Sequence, residues 1–283
     1  MLVLLGPPFD GTDEQYAQLA TATGLLPYDL KTKIKPGMWG VVRALADAQQ
    51  ANELGQRLEA AGFRAAVVDP GIVHDPERRV VGVRAIELGP DQLVLTFRER
   101  RMPVDYRALI GVVRGEIQVG RPGMSSSGGP SSASMRAVTP SATELAAFRE
   151  SQSQNDAFAG ADLHFATVLW VARIDARSFD FSEFGGRGAN VAQDLDHFVD
   201  HLAERAGVRV DRNVRLSSVA SFAARPPPMR SQSPVPGGSM TPRASLVVGG
   251  DERFDGYSRL VAEAERQTRR FIPASLAPPP SSR

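Results

Sequence analysis

The sequence predicts an α+β protein: a small α/β sandwich, then an antiparallel sheet or barrel ending in a C-terminal helix, with long disordered segments between. Three observations carry this. The first seventy residues alternate strand-like and helix-like patterns, which suits helices packed on one face of a small sheet. After Pro70 the period changes to strands. Residues 121–156 and 222–250 are rich in Ser, Gly and Pro and offer little to bury. Such segments do not recover an ordering entropy of roughly 1 to 2 kcal/mol per residue.

Leu2 to Leu5 reads as a short buried strand that stops at Gly6-Pro7-Pro8. Thr12 and Gln15 match a capping box opening a helix with Tyr16, Leu19 and Ala20 on one face, which Gly24 ends. Pro27 to Ile34 forms a second short helix with Pro27 in its first turn, and Pro36-Gly37 is a stop. Trp39 to Leu45 is a strand. Asp47 and Gln50 open a third helix, whose Ala51, Leu54, Leu58 and Ala61 fall at helical spacing; Gly62 closes it before the strand Phe63 to Val68.

Arg79 to Leu88 is a strand joined through Gly89-Pro90-Asp91 to Leu93–Arg98, an alternating partner, giving a hairpin. Val104 to Tyr106 and Leu109 to Val119 continue the sheet, with Gly111 and Gly115 marking bends or bulges. Phe165 to Arg173 and Ser178 to Ser182 are strand-like, and a helix runs from Asn190 to Ala206. Asp251 to Phe271 carries Phe254, Tyr257, Leu260, Val261 and Ala264 at near-helical spacing, with Arg266, Arg269 and Arg270 at the end that favours cations. The domains expected are therefore an α/β module at 1–70 and a second domain at 71–120 and 157–210, split by the insert at 121–156. A linker at 222–250 leads to a tethered amphipathic helix at 251–271, marginal in water by itself and so in need of a docking surface, this protein's own ahead of a partner's.

The Ala/Leu-rich helix followed by Gly62 and FRAAVV resembles small ferredoxin-like or ribosomal-stalk-like modules. Strands ending in one amphipathic helix resemble the pleckstrin-homology-like superfold, which implies a bent barrel plugged by that helix. In that family a basic loop between the first two strands serves phosphoinositides. Here that loop is Gly89-Pro90-Asp91, which argues against lipid binding.

Composition narrows the chemistry. The chain has 283 residues, 33 basic and 32 acidic, for a net charge of +1, so no general polyanion-binding surface follows. The only lysines are Lys31, Lys33 and Lys35, and the Arg, Ala and Gly usage is that of a GC-rich bacterial genome. With no cysteine there is no disulfide, thiolate catalysis or Cys-ligated metal. No apolar stretch approaches the ~20 residues of a membrane span, so a cytoplasmic protein without membrane insertion is expected.

On the helix from Asn190, His197 and His201 lie four residues apart with Asp194 and Glu204 on the same side, the candidate set for a metal or for acid/base chemistry. Val191, Leu195, Phe198 and Leu202 define its buried stripe, which places both histidines on the solvated face. Phe184-Gly-Gly-Arg-Gly188 before it lacks the Lys-Ser/Thr of a phosphate loop. Three lysines near Trp39, and Arg98 to Arg101, are too few for a nucleic-acid surface, and Trp39 belongs in the core rather than stacked on bases. Thr139-Pro140, Ser233-Pro234 and Thr241-Pro242 are candidate phosphorylation sites. The leading expectation is a non-enzymatic adaptor or scaffold, with no cofactor, binding an unknown protein partner through Phe254, Tyr257, Leu260 and Val261. The alternatives are a hydrolase built on His197 and His201, and a nucleic-acid-binding protein.

Overall fold

The LVLL run forms β1 (Leu2–Leu5), with all four side chains buried. In the computed structural model, which describes residues 1–98, 100–118, 157–185, 188, 190–214, 217–223 and 252–269, β1 is the middle of a three-stranded sheet. β2 (Gly40–Ala44) and β3 (Ala65–Val68) flank it, both antiparallel. An unbroken apolar run is what a strand covered on both faces needs. Val3 and Leu5 pack with Tyr16 and Leu19 of α1 (Asp13–Thr23), Leu30 of α2 (Pro27–Lys33) and Leu54 and Leu58 of α3 (Ala48–Ala60). Leu2 and Leu4 belong to a second apolar cluster on the opposite face.

The local signals of this part hold in detail. Thr12 Oγ1 accepts the Gln15 N–H at 3.2 Å, and Gly24 ends α1 in the left-handed region at φ 69°. The reciprocal half of the capping box is diverted: Gln15 Oε1 accepts from the N–H groups of Asp10 and Gly11, at 2.9 and 3.0 Å, and so braces the loop before the helix.

The second half of the chain builds two sheets. One runs in the order β11 (Val210–Asp211), β8 (Leu109–Gln118), β9 (Ala157–Phe165), β10 (Val171–Asp175), β4 (Val80–Val83). The other is a meander of β5 (Ala85–Leu88), β6 (Gln92–Phe97) and β7 (Arg100–Asp105). α4 (Val191–Ala206) buries Leu195, Phe198, Val199 and Leu202 in a core shared by both sheets. A bulge falls between Leu109 and Gly111, as the glycine suggested, whereas Gly115 gives up its side chain for another reason: a Cβ there would lie 2.6 Å from the Phe254 ring.

The α+β class stands, but several element assignments change. The sheets stay open among the described residues, so no barrel forms, and the larger sheet is mixed, because β4 pairs parallel with β10 and β11 parallel with β8. The segment Arg79–Leu88 is two strands. At Arg84 the backbone turns aside, its N–H bonding Thr96 O at 2.8 Å and its carbonyl taking the Asp180 N–H at 2.7 Å, so that β4 joins one sheet and β5 the other. Phe165–Arg173 is not one strand either: Phe165 ends β9, and residues 166–170 turn back before β10. Ser178–Ser182 is a turn leading into the 3-10 helix Ser182–Phe184; its Phe179 and Phe181 are buried through loop geometry rather than strand alternation. Helix α5 (Ser218–Ala223) reaches into what was expected to be linker from residue 222. The insert at 121–156 and the remainder of the 222–250 linker, with Thr139, Ser233 and Thr241, lie outside the described residues.

Of the two surfaces open to the tethered helix, α6 (Glu252–Thr268) docks on this chain's own. It lies between the two halves of the chain. Its Phe254, Tyr257, Leu260, Val261 and Ala264 pack with Leu2, Leu4, Trp39, Val41 and Val68 of the first sheet and with Val113 and Ile117 of β8. One cluster therefore joins both expected parts. Side chains from α5 and α6 also cover the edges of the first sheet: Ser218 Oγ takes the Val41 N–H at 2.8 Å, and Gln267 Oε1 takes the Val67 N–H at 3.2 Å.

Candidate functional site

The four residues named as partner contacts are core residues: Phe254, Tyr257 and Leu260 are 0% exposed and Val261 3%. They bind this chain's own sheets, and a free partner has no access to them. The apolar stripe was legible, but a stripe does not say which surface it meets.

The histidine helix has the orientation its periodicity implies. His197 and His201 are both exposed, and His201 meets the Phe184 ring edge to face, centroid to centroid 5.9 Å. Glu204 is exposed, and Asp194 is spent on the preceding loop, accepting the Gly188 N–H at 2.8 Å. The neighbouring acids are paired too, Asp196 with Arg114 at 3.0 Å and Asp200 with Arg212 at 2.7 Å. No group of three metal-ligating side chains exists among the described residues. The hydrolase reading required the two histidines to line a concave pocket, and they face solvent instead. The glycine-rich loop offers a phosphate no vacant N–H at residue 188, since Asp194 occupies it; Gly186 and Arg187 are outside the described residues.

The polar groups that the fold does bring together surround α6. On the β9 and β10 side, Arg173 forks onto both oxygens of Asp162 at 2.7 and 2.8 Å and onto Asp255 at 2.6 Å. Burial works against the Asp162 charge, yet the Arg173 ion pair and the Ser258 hydroxyl hold its carboxyl below the usual carboxylate range. Asp255 is pushed the other way, because its burial outweighs the help from Arg173. His164 Nε2 lies 2.7 Å from Ser258 Oγ, and Ser258 donates to Asp162 Oδ2 at 2.7 Å. Burial lowers the His164 pKa to about 4, so the ring is neutral and its Nε2–H donates to the serine.

This serine, histidine and aspartate do not make a nucleophile. The serine proton goes to the aspartate and the histidine is a donor, whereas a nucleophilic serine needs the histidine to accept. Ser258 is also 0% exposed. The pattern explains why β9 was illegible as a strand. Ala161, Leu163 and Phe165 face the apolar core while Asp162 and His164 alternate toward α6, where polar side chains meet polar partners.

On its other side α6 is bolted to the first sheet. Trp39, fully buried as expected, donates Nε1–H to Glu265 at 2.9 Å. Arg64 stacks over the Trp39 ring at 5.3 Å and donates to Glu265 at 2.5 Å, to Thr268 at 2.9 Å and to Pro7 O at 3.3 Å. Tyr257 donates to Asp211 Oδ2 at 2.9 Å. Burial raises the carboxyl pKa of Asp211 and the phenol pKa of Tyr257.

Where these halves meet, an open groove of about 590 Å3 is lined by Pro7, Pro8, Phe9, Asp10, Pro36, Gly37, Arg64 and Arg209. Two glycines set its wall. A Cβ on Gly6 would sit 2.5 Å from the Trp39 ring, so only glycine lets the loop pass. Gly37, at φ 69°, donates its N–H to Phe9 O at 2.9 Å and ties the two loops together. Arg209, from the second half of the chain, is exposed, and its positive charge acts on the nearby Asp211 carboxyl and Tyr257 phenol, favouring their charged forms, while among the described residues its guanidinium makes no hydrogen bond. Sequence reasoning took Pro7-Pro8 and Pro36-Gly37 only as stops; no local signal joins them to residue 209.

The residues of the basic stripe make local contacts. Lys31 pairs with Asp13 at 2.6 Å and Lys35 donates to the Lys31 carbonyl at 2.7 Å, while Trp39 is unavailable for stacking. No helix among the described residues is long and apolar enough to cross a membrane. Comparison of the chain with protein-family models, with curated proteins and with solved structures finds no match in any of the three.

Proposed function

We propose that this chain is a non-enzymatic interaction module of the cytoplasm, and that its partner surface is the groove at the seam between the two halves. The observation that carries this reading is the contrast between two sets of polar groups. Those around α6 are buried and satisfy one another, whereas Arg209 stands in an open concavity with its donors unused. Groups consumed by structure are poorly placed to meet a ligand, and a groove with largely apolar walls and a few polar points is the ordinary form of a recognition site. The same chain stretch that supplies Pro36 and Gly37 also carries two large exposed side chains, Leu26 at 68% and Tyr28 at 76%. Exposed aromatic and apolar surface of this kind suits protein contact.

A photo-cross-linking residue placed at Pro8, which is exposed in the groove, tests the reading in the native cell. A discrete cross-linked protein is expected from position 8 and not from the exposed Arg57 on α3. Identical cross-linking from both positions, or none from position 8, would contradict it.

A further inference from the structure

The last turn of α6 brings the chain next to the groove. Thr268 Oγ1 accepts from Arg64 Nε at 2.9 Å, and Glu265, one turn earlier, takes a terminal nitrogen of the same guanidinium at 2.5 Å. Arg64 lines the groove and donates to the Pro7 carbonyl at 3.3 Å, so one side chain separates the end of the helix from the site. The described residues stop at 269, and residues 270–283 follow in the sequence. Of these, 271–280 read FIPASLAPPP, apolar and rich in proline, without a charged side chain. The charges of the groove are themselves balanced. Arg64 is neutralised by Glu265, while Arg209 shares the lining with Asp10 and acts on the Asp211 carboxyl beside it.

From this juxtaposition, and resting on the interaction reading above, we infer that the groove is the docking site of this chain's own segment 271–280, which a partner must displace. An extended chain advances about 3.3 Å per residue, so the groove is reached within the first few residues after 269. Phe271, Ile272 and Leu276 supply apolar surface to lay against the exposed rings of Pro8 and Pro36. Pro273 and Pro278 to Pro280 have φ fixed by their rings, so little backbone freedom is lost when such a run lies along a wall. The run at 225–230 is a poorer occupant. It follows α5, whose Ser218 bonds the Lys33 carbonyl near the groove, but it brings Arg225 and Arg230 to a lining that already holds two arginines. Tethering makes a weak contact sufficient. At an effective concentration of about 1 mM, a contact with a dissociation constant of about 0.1 mM fills the groove about nine-tenths of the time and lowers a partner's apparent affinity about tenfold.

The cross-linker at position 8 tests this on the purified full chain with no other protein present. Irradiation is expected to give an intramolecular link, independent of protein concentration, that mass spectrometry of the tryptic fragments places within 271–280. Phe271→Asp with Leu276→Asp, made in the full chain, is expected to reduce that link severalfold while keeping the circular dichroism of the parent. The same pair of substitutions should raise capture of the cellular partner through position 8 about tenfold. No link to 271–280, a link to 225–230 instead, a link lost on dilution as one between two copies would be, or a link of equal yield in the substituted chain would each overturn the inference. A partner captured equally by parent and substituted chain would remove the docked segment and leave the interaction reading standing. A link to 271–280 with no cellular partner from position 8 would keep the docked segment and remove the interaction reading.

Discussion

Phe254→Ala is expected to destabilise the whole chain by about 3 to 5 kcal/mol, seen as a large fall in the urea midpoint with both halves affected together. The ring is 0% exposed and lies against Gly115 of β8, where the missing side chain leaves room for it. The Arg173 guanidinium stacks on the ring at 5.2 Å, so truncation opens a cavity and also loosens the cation that neutralises Asp162. Phe254→Leu, which keeps most of the volume, should cost much less. If Phe254→Ala shifted only the signals of the second half, α6 would not be joining the two sheets.

The second large effect belongs to Arg173. Arg173→Met leaves Asp162, at 1% exposure, with a serine hydroxyl as its remaining side-chain partner, and leaves Asp255 without its cation. An uncompensated buried charge costs about 3 to 5 kcal/mol, more than the intact pair contributes. Neutralising the orphan should return part of that loss: Arg173→Met with Asp162→Asn is expected to be more stable than Arg173→Met alone. Additive losses in a double-mutant cycle of urea unfolding would show that the two groups are not coupled.

The features legible in the sequence were those set by neighbours in the chain. Thr12 and Asp47 cap their helices, Gly24 and Gly62 take positive φ, and Gly89 to Asp91 turn the β5–β6 hairpin, all through interactions within a few residues. The stripe of α4 was legible for the same reason, and with it the exposure of His197 and His201. What was not legible was held by distant contacts. The Asp162, His164 and Ser258 side chains look solvated when read alone, yet they satisfy one another across ninety or more residues of chain. Hydropathy scores such residues as surface, and so β9 went unseen and the surface that α6 docks on, this chain's own or a partner's, stayed open. The groove is illegible for the same cause, since its walls come from residues 7–10, 36–37, 64 and 209.

The seam keeps its shape only if α6 makes one cooperative unit of the two sheets. The two tryptophans report on this separately: Trp39 sits in the cluster around α6, and Trp170 packs on Phe97 and Phe165 at 5.5 and 5.9 Å in the other half. In single-tryptophan variants, Trp39→Phe and Trp170→Phe, the fluorescence transition in urea is expected to coincide with that of far-ultraviolet circular dichroism in each protein. A Trp39 or Trp170 transition that separates from the dichroism curve would mean two independently unfolding halves, and would contradict the account of α6 as the helix that holds them together.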